Sequence, residues 1–197
     1  MKILVVADVP DKKYWDYYTD GCLSEFDLIL SCGDLPPQYL TFLVTMAKCP
    51  VVYVPGNHDD IYKSKPPEGC ICCDGDIVKV CGLRILGLGG SNRYKLGDNQ
   101  YTQKEMYKRI KKLNFRLRKN KGFDILLAHS PARFLNDSED IPHQGFEAFN
   151  DLMDKYAPKF FIHGHVHMNY NYKLPRICAH GQTTVINGYR SFVIETE

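Results

Sequence analysis

The stretch Val51-Val52-Tyr53-Val54-Pro55-Gly56-Asn57-His58-Asp59 decides the fold. Four apolar residues predict a short buried strand, and Pro-Gly predicts that it stops there. The next three positions carry an amide, an imidazole and a carboxylate. The same arrangement recurs along the chain. Apolar runs at 3–7, 28–31, 85–88, 125–128 and 160–162 each read as a buried strand, and polar or glycine-rich residues follow most of them. Helix-length segments separate several of these runs. One covers 40–48, and another covers 145–156 with Phe146, Phe149, Leu152 and Met153 at helical spacing. The strongest covers 102–120, with Met106, Ile110, Leu113 and Leu117 as its apolar stripe. Alternation of this kind predicts an α/β protein with largely parallel strands. Segments 69–82 and 176–197 lack helical periodicity and read as hairpins. Two such β-rich additions predict two sheets packed face to face with helices outside, in one domain spanning 1–197.

Composition narrows the classes. A chain of 197 residues with 44% hydrophobic and 24% charged residues is globular in composition, which excludes disordered, collagen-like and coiled-coil proteins. Its 25 basic and 23 acidic residues give a net charge of +2, against the strongly basic face of a dedicated nucleic-acid binder. The helix at 102–120 carries Lys104, Lys108, Arg109, Lys111, Lys112, Arg116, Arg118 and Lys119 against Glu105 alone. We read that face as solvated, and a nucleic-acid partner as not expected. No apolar run approaches the ~18 residues of a membrane span, and the first is too short for a signal-peptide core. A cytoplasmic protein is expected, with no membrane partner. Its eight cysteines then read as free, partly buried thiols. Adjacent Cys72 and Cys73 would point to opposite faces of a strand.

The chemistry gathers where the runs end. Asp8 follows the first, Gly33-Asp34 the second, and Gly56-Asn57-His58-Asp59 the third. Ala128-His129-Ser130 closes the fifth, and His163-Gly164-His165-Val166-His167 the sixth. In α/β sheets, ligands bind beyond the carboxyl ends of the strands, so five distant segments deliver these groups to one rim. Each alone is weak, since a strand-end Asp often caps a helix and a single His is commonly structural. Together, carboxylate, amide oxygen and imidazole suit Mn, Fe or Zn, with no thiolate to mark a structural zinc site. A carboxylate between two ions can hold them ~3.5–4 Å apart, polarise a phosphoryl group and yield a hydroxide near neutral pH.

With these motifs in order from Asp8 to His167, the chain resembles the calcineurin-like metallophosphoesterase superfamily over essentially its whole length. The resemblance implies a four-layer α/β/β/α sandwich and two divalent metal ions. Asp34 would bridge them, Asp8 and His167 would join it on the first, and Asn57, His129 and His165 on the second. His58 would contact phosphate and assist the leaving oxygen, with Asp59 holding its ring. The implied activity is a metal-dependent phosphoesterase in which a metal-bridging hydroxide attacks a phosphodiester or phosphomonoester, the substrate being a small phosphorylated molecule.

One departure matters. The family pattern at the first motif is Asp-x-His, whereas this chain reads Asp8-Val9-Pro10, and Pro10 offers no ligand. Asp11, Tyr39 or water could fill the gap. The first metal should therefore bind more weakly than the second and be only partly occupied. A scaffold that keeps the fold with little turnover is the competing reading, and His58, a group of no use to a scaffold, stands against it. Outside the core motifs, His143 precedes a helix and is a candidate phosphate contact, and Arg93 could grip a phosphate bidentately. His163 reads as structural or as a support behind the ligands, and His180 as structural.

Overall fold

The computed structural model describes residues 1–169 and 174–196. In chain order the elements are β1 (Lys2–Ala7), β2 (Leu28–Ser31), α1 (Pro37–Ala47), β3 (Val51–Tyr53), β4 (Ile71–Cys72), β5 (Ile77–Val80), β6 (Leu83–Leu88), β7 (Ser91–Asn92) and β8 (Gln100–Tyr101). They continue as α2 (Gln103–Lys112), α3 (Asn114–Lys119), β9 (Ile125–Ala128), α4 (Glu147–Tyr156), β10 (Phe160–His163), β11 (Ile177–His180), β12 (Thr183–Asn187) and β13 (Arg190–Glu195). One sheet runs β13-β1-β2-β3-β4 and the other β11-β12-β10-β9-β6-β5. In the first, β1 to β4 are parallel and β13 closes the edge antiparallel to β1. In the second, β6, β9, β10 and β12 are parallel, with β5 and β11 as antiparallel edges.

The strands are apolar on both faces because both faces are covered. Ile3, Val5, Leu28, Leu30 and Val52 of the first sheet share one core with Ile85, Ile125, Leu127, Ile162 and Ile186 of the second. Their alternate neighbours Leu4, Val6, Ile29 and Val51 pack outward on Tyr39, Leu40 and Leu43 of α1. On the far side, Leu86, Leu126, Phe161 and Val185 pack on Met106, Leu117, Phe149 and Leu152 of α2, α3 and α4. Three stacked cores make four layers, as the resemblance implies. Among the described residues, no helix is long and apolar enough to cross a membrane.

Two local readings change. The single helix expected over 102–120 divides at Leu113, whose N–H bonds to Ile110 O three residues back, at 2.9 Å. That tighter turn lets both Leu113 and Leu117 reach the core. The expected hairpin over 69–82 is instead a crossing, since β4 joins one sheet and β5 the other. The true hairpins are β5–β6 and β11–β12. Near the crossing, Cys72 is exposed and Cys73 buried, as strand alternation requires, and the eight cysteines are free. Cys70 and Cys73, although spaced Cys-x-x-Cys, lie against different cores, and their thiols donate to separate carbonyls, Leu40 O and Tyr53 O. On the basic helices, Arg109 and Arg116 reach back to Asp74 and Asp76.

Candidate metal centre

The parallel strands bring their carboxyl ends to one rim, where the chain must turn sharply. Asp8, Asp34 and His165 sit there with φ of 66°, 54° and 65°, a left-handed region that Asp and His enter more readily than most residues. The bends are locked by backbone bonds. Asp8 N–H donates to Gly33 O at 3.0 Å, and His165 N–H donates to Asp8 Oδ1 at 2.9 Å. The loops after β2 and β3 meet almost without side chains between them. A Cβ on Gly56 would lie 2.0 Å from Asp34 Oδ1, and one on Gly33 would lie 2.2 Å from Gly56 N.

His129 is the hub. Its Nδ1 lies 2.8 Å from Cys32 O, and a carbonyl only accepts, so Nδ1 carries the proton. In the neutral ring Nε2 is then a lone pair. It faces Asn57 Oδ1 at 3.0 Å, His165 Nδ1 at 3.1 Å and Asp34 Oδ2 at 3.4 Å. His165 is fixed the same way, for its Nε2 donates to Pro142 O at 2.8 Å and leaves Nδ1 bare. Four lone pairs thus converge with no donor among them. Such a set needs either one shared proton or a cation, and mixed nitrogen and oxygen donors suit a divalent metal. Asp34, His129 and His165 hold their ligand atoms within 4.8 Å of one another, so the residues fit a metal.

The charges agree. Burial opposes a charge on His129, but Asp34 and Asp8 outweigh it and push its pKa up to about 9. Burial likewise opposes the Asp34 carboxylate, yet the His129 charge and hydrogen bond and the His58 amide hold it well below the usual range. His165 is pushed down to about 3 by burial and the His129 charge. One proton shared at His129 therefore stands where a cation would go. Beside it, burial raises Asp8 to about 7, and its Oδ2 is buried without a hydrogen-bond partner.

Not every expected residue joins the cluster. Asp8 touches it only through the His165 amide, and His167 lays its ring on Tyr189 at 4.8 Å. Asp11 and Tyr39, the two side chains considered for the gap left by Pro10, each have hydrogen bonds of their own. Asp11 Oδ1 accepts from Lys13 N–H and its Oδ2 from the Ser191 hydroxyl, while Tyr39 Oη accepts from Asp11 N–H. Asp59 was expected from the resemblance to hold the His58 ring, and it does not. Its buried Oδ2 accepts Asp34 N–H at 2.6 Å and Gly56 N–H at 2.7 Å, clamping the two loops together. His58 is placed instead by its own amide, which donates to Asp34 Oδ1 at 2.8 Å and leaves the ring exposed.

The flanking loops are sorted as sharply. His143 lies over the centre, its ring 5.0 Å from that of His165 and its Nδ1 2.5 Å from Asp140 Oδ2. Arg93 does not face the centre, because its guanidinium is committed to Glu105 at 2.9 Å and to Gln100 O. The next residue does: Tyr94 Oη accepts from Asn57 Nδ2 at 3.3 Å. Sequence reasoning missed Tyr94, whose only signal was its place beside Arg93 in a strand-end loop. His163 is buried with its ring against Phe161, and His180 pairs with Asp154.

Against known proteins, a family profile described as calcineurin-like phosphoesterase matches residues 1–169. An uncharacterized protein of Haemophilus influenzae is 27% identical over 204 residues, covering 87% of this chain and 86% of that one. One crystal structure superposes with a TM-score of 0.71 at 14% identity, over 98% of this chain and 94% of the other. The crystal structure of TT1561 of Thermus thermophilus gives 0.61 at 15% identity, over 95% and 88%. These likenesses support the four-layer fold.

Proposed function

Since the chain belongs to the calcineurin-like phosphoesterase family, we propose that it hydrolyses a phosphate ester at a divalent metal centre whose two positions are unequal. The four converging lone pairs around His129 Nε2 carry this reading. Asp34, Asn57, His129 and His165 would hold the stronger metal, and Asp8, Asp34 and His167 the weaker. Bound divalent metal polarises a phosphoryl group and makes water acidic enough to be a nucleophile near neutral pH.

The protein's own groups supply the rest. Cys32 O and Pro142 O fix which nitrogen of His129 and of His165 faces inward. The exposed His58 ring stands one residue from Asn57 and is free to give a proton to the leaving oxygen. His143, held by Asp140, faces the same space and is the substrate-side contact. Pro10 in place of a ligand, the His167 ring on Tyr189, and the hydrogen bonds already made by Asp11 and Tyr39 support the weaker position. The substrate of this reading is a small phosphorylated molecule.

Hydrolysis of bis-p-nitrophenyl phosphate with Mn²⁺ tests this reading. His58→Ala should keep metal binding and lose about 10²–10⁴-fold in kcat. Turnover that is absent in the wild type, or unchanged in the variant, favours the scaffold reading.

A further inference from the structure

Asn57 presents a difficulty that the other cluster residues do not. A carboxylate offers oxygen whichever way it turns, and each imidazole is fixed by a carbonyl. A carboxamide has two unlike ends, and with Nδ2 inward it would aim a donor at a cation. Something must hold Oδ1 at its 3.0 Å position beside His129 Nε2. Among the described residues, the one hydrogen-bond partner of Asn57 Nδ2 is Tyr94 Oη, at 3.3 Å.

Tyr94 is well placed for this task because its loop is braced. Gly90 N–H bonds to Pro55 O at 2.9 Å, tying the loop to the turn that carries Asn57. The buried Gln100 side chain accepts both Tyr94 N–H and Lys95 N–H at 3.2 Å. Arg93, the residue before Tyr94, is anchored on Glu105 at 2.9 Å. The hydroxyl is therefore delivered to the amide by bonds from three sides.

We propose that Tyr94 is a positioning residue of the metal centre, its hydroxyl fixing the Asn57 carboxamide so that Oδ1 rather than Nδ2 faces the cation. The proposal rests on the metal-centre reading above, and it makes Tyr94 matter only while position 57 is an amide. An aspartate there has no end that needs fixing.

Mn²⁺ affinity, read from the EPR signal of free Mn²⁺, is measured for the wild type, Tyr94→Phe, Asn57→Asp and the double variant. Tyr94→Phe should weaken binding about tenfold, the low end of the effect of losing a group that orients a ligand. In the Asn57→Asp background the same change should alter affinity less than twofold. An equal fall in both backgrounds, or none in the wild type, overturns the proposal. Should Asn57→Asp not fold, the side-chain amide resonances of Asn57 in metal-free protein decide. They should shift and exchange faster in Tyr94→Phe, and unmoved resonances overturn the assignment. Neither readout needs turnover. A wild type that binds Mn²⁺ without hydrolysing ester defeats the hydrolase reading and leaves Tyr94 to be judged on binding.

Discussion

His129 shows how much a single side chain can fix. Its Nδ1 bond to Cys32 O selects the tautomer, and the selected tautomer aims a lone pair at three others. In metal-free protein the proton on Nε2 holds this hub together, with a pKa of about 9. A cation must displace that proton, so its affinity should rise about tenfold per pH unit from 6.5 to 8.5. Mn²⁺ titrations at constant ionic strength measure the slope, and a flat profile would mean that His129 does not meet the metal. The Asp, Asn and His residues of the centre were legible in the sequence because each follows an apolar run. Tyr94, Arg93 and Asp59 were not, because distant partners decide their roles. Asp59 was expected to serve its neighbour His58, but two amides 25 and 3 residues away take it. Arg93 was expected to bind phosphate, but Glu105 neutralises it.

At the scale of elements, the loops after β2 and β3 work as one unit because backbone meets backbone. Gly56→Ala places a Cβ 2.0 Å from Asp34 Oδ1, so Asp34 must move. The variant should keep its far-UV circular dichroism yet lose Mn²⁺ binding by at least tenfold, the scale on which metal sites respond to disturbed ligands. Retained affinity would show that Asp34 is dispensable. Helix α2 offers a separate test. Thr102 Oγ1 accepts Glu105 N–H, and the Glu105 carboxylate accepts Thr102 N–H, a reciprocal cap. Thr102→Ala should cost about 1 kcal/mol in urea unfolding, with metal affinity unchanged. The five strands that position the site were legible because their apolar runs are buried on both faces. The break at Leu113 and the crossing from β4 to β5 were not. Both depend on which sheet or core receives the chain, and local periodicity does not record that.

Across the whole molecule, the centre lies between the two sheets. Asp8, Asp34 and Asn57 follow β1, β2 and β3 of one sheet, while His129 and His165 follow β9 and β10 of the other. A bound cation therefore links two layers otherwise joined by their shared apolar core, and metal removal becomes a question of global stability. The effect has a definite pH dependence. Folded, metal-free protein holds a proton on His129 up to about pH 9, whereas an unfolded histidine releases it near ~6.5. Between these values the folded state binds more protons, so stability falls as pH rises. Asp8, raised by burial to about 7, adds to the fall in the lower part of this range. From pH 7.0 to 8.5 the metal-free protein should lose about 2 kcal/mol, which for a chain of this size is roughly 4–8 °C in Tm. With saturating Mn²⁺ the proton is already displaced, so Tm should be higher throughout and nearly independent of pH over this window. Thermal unfolding in chelator and in Mn²⁺, at pH 7.0 and 8.5, reads both slopes. Parallel slopes would mean that no ion replaces the His129 proton, and that the two sheets meet there without a metal between them.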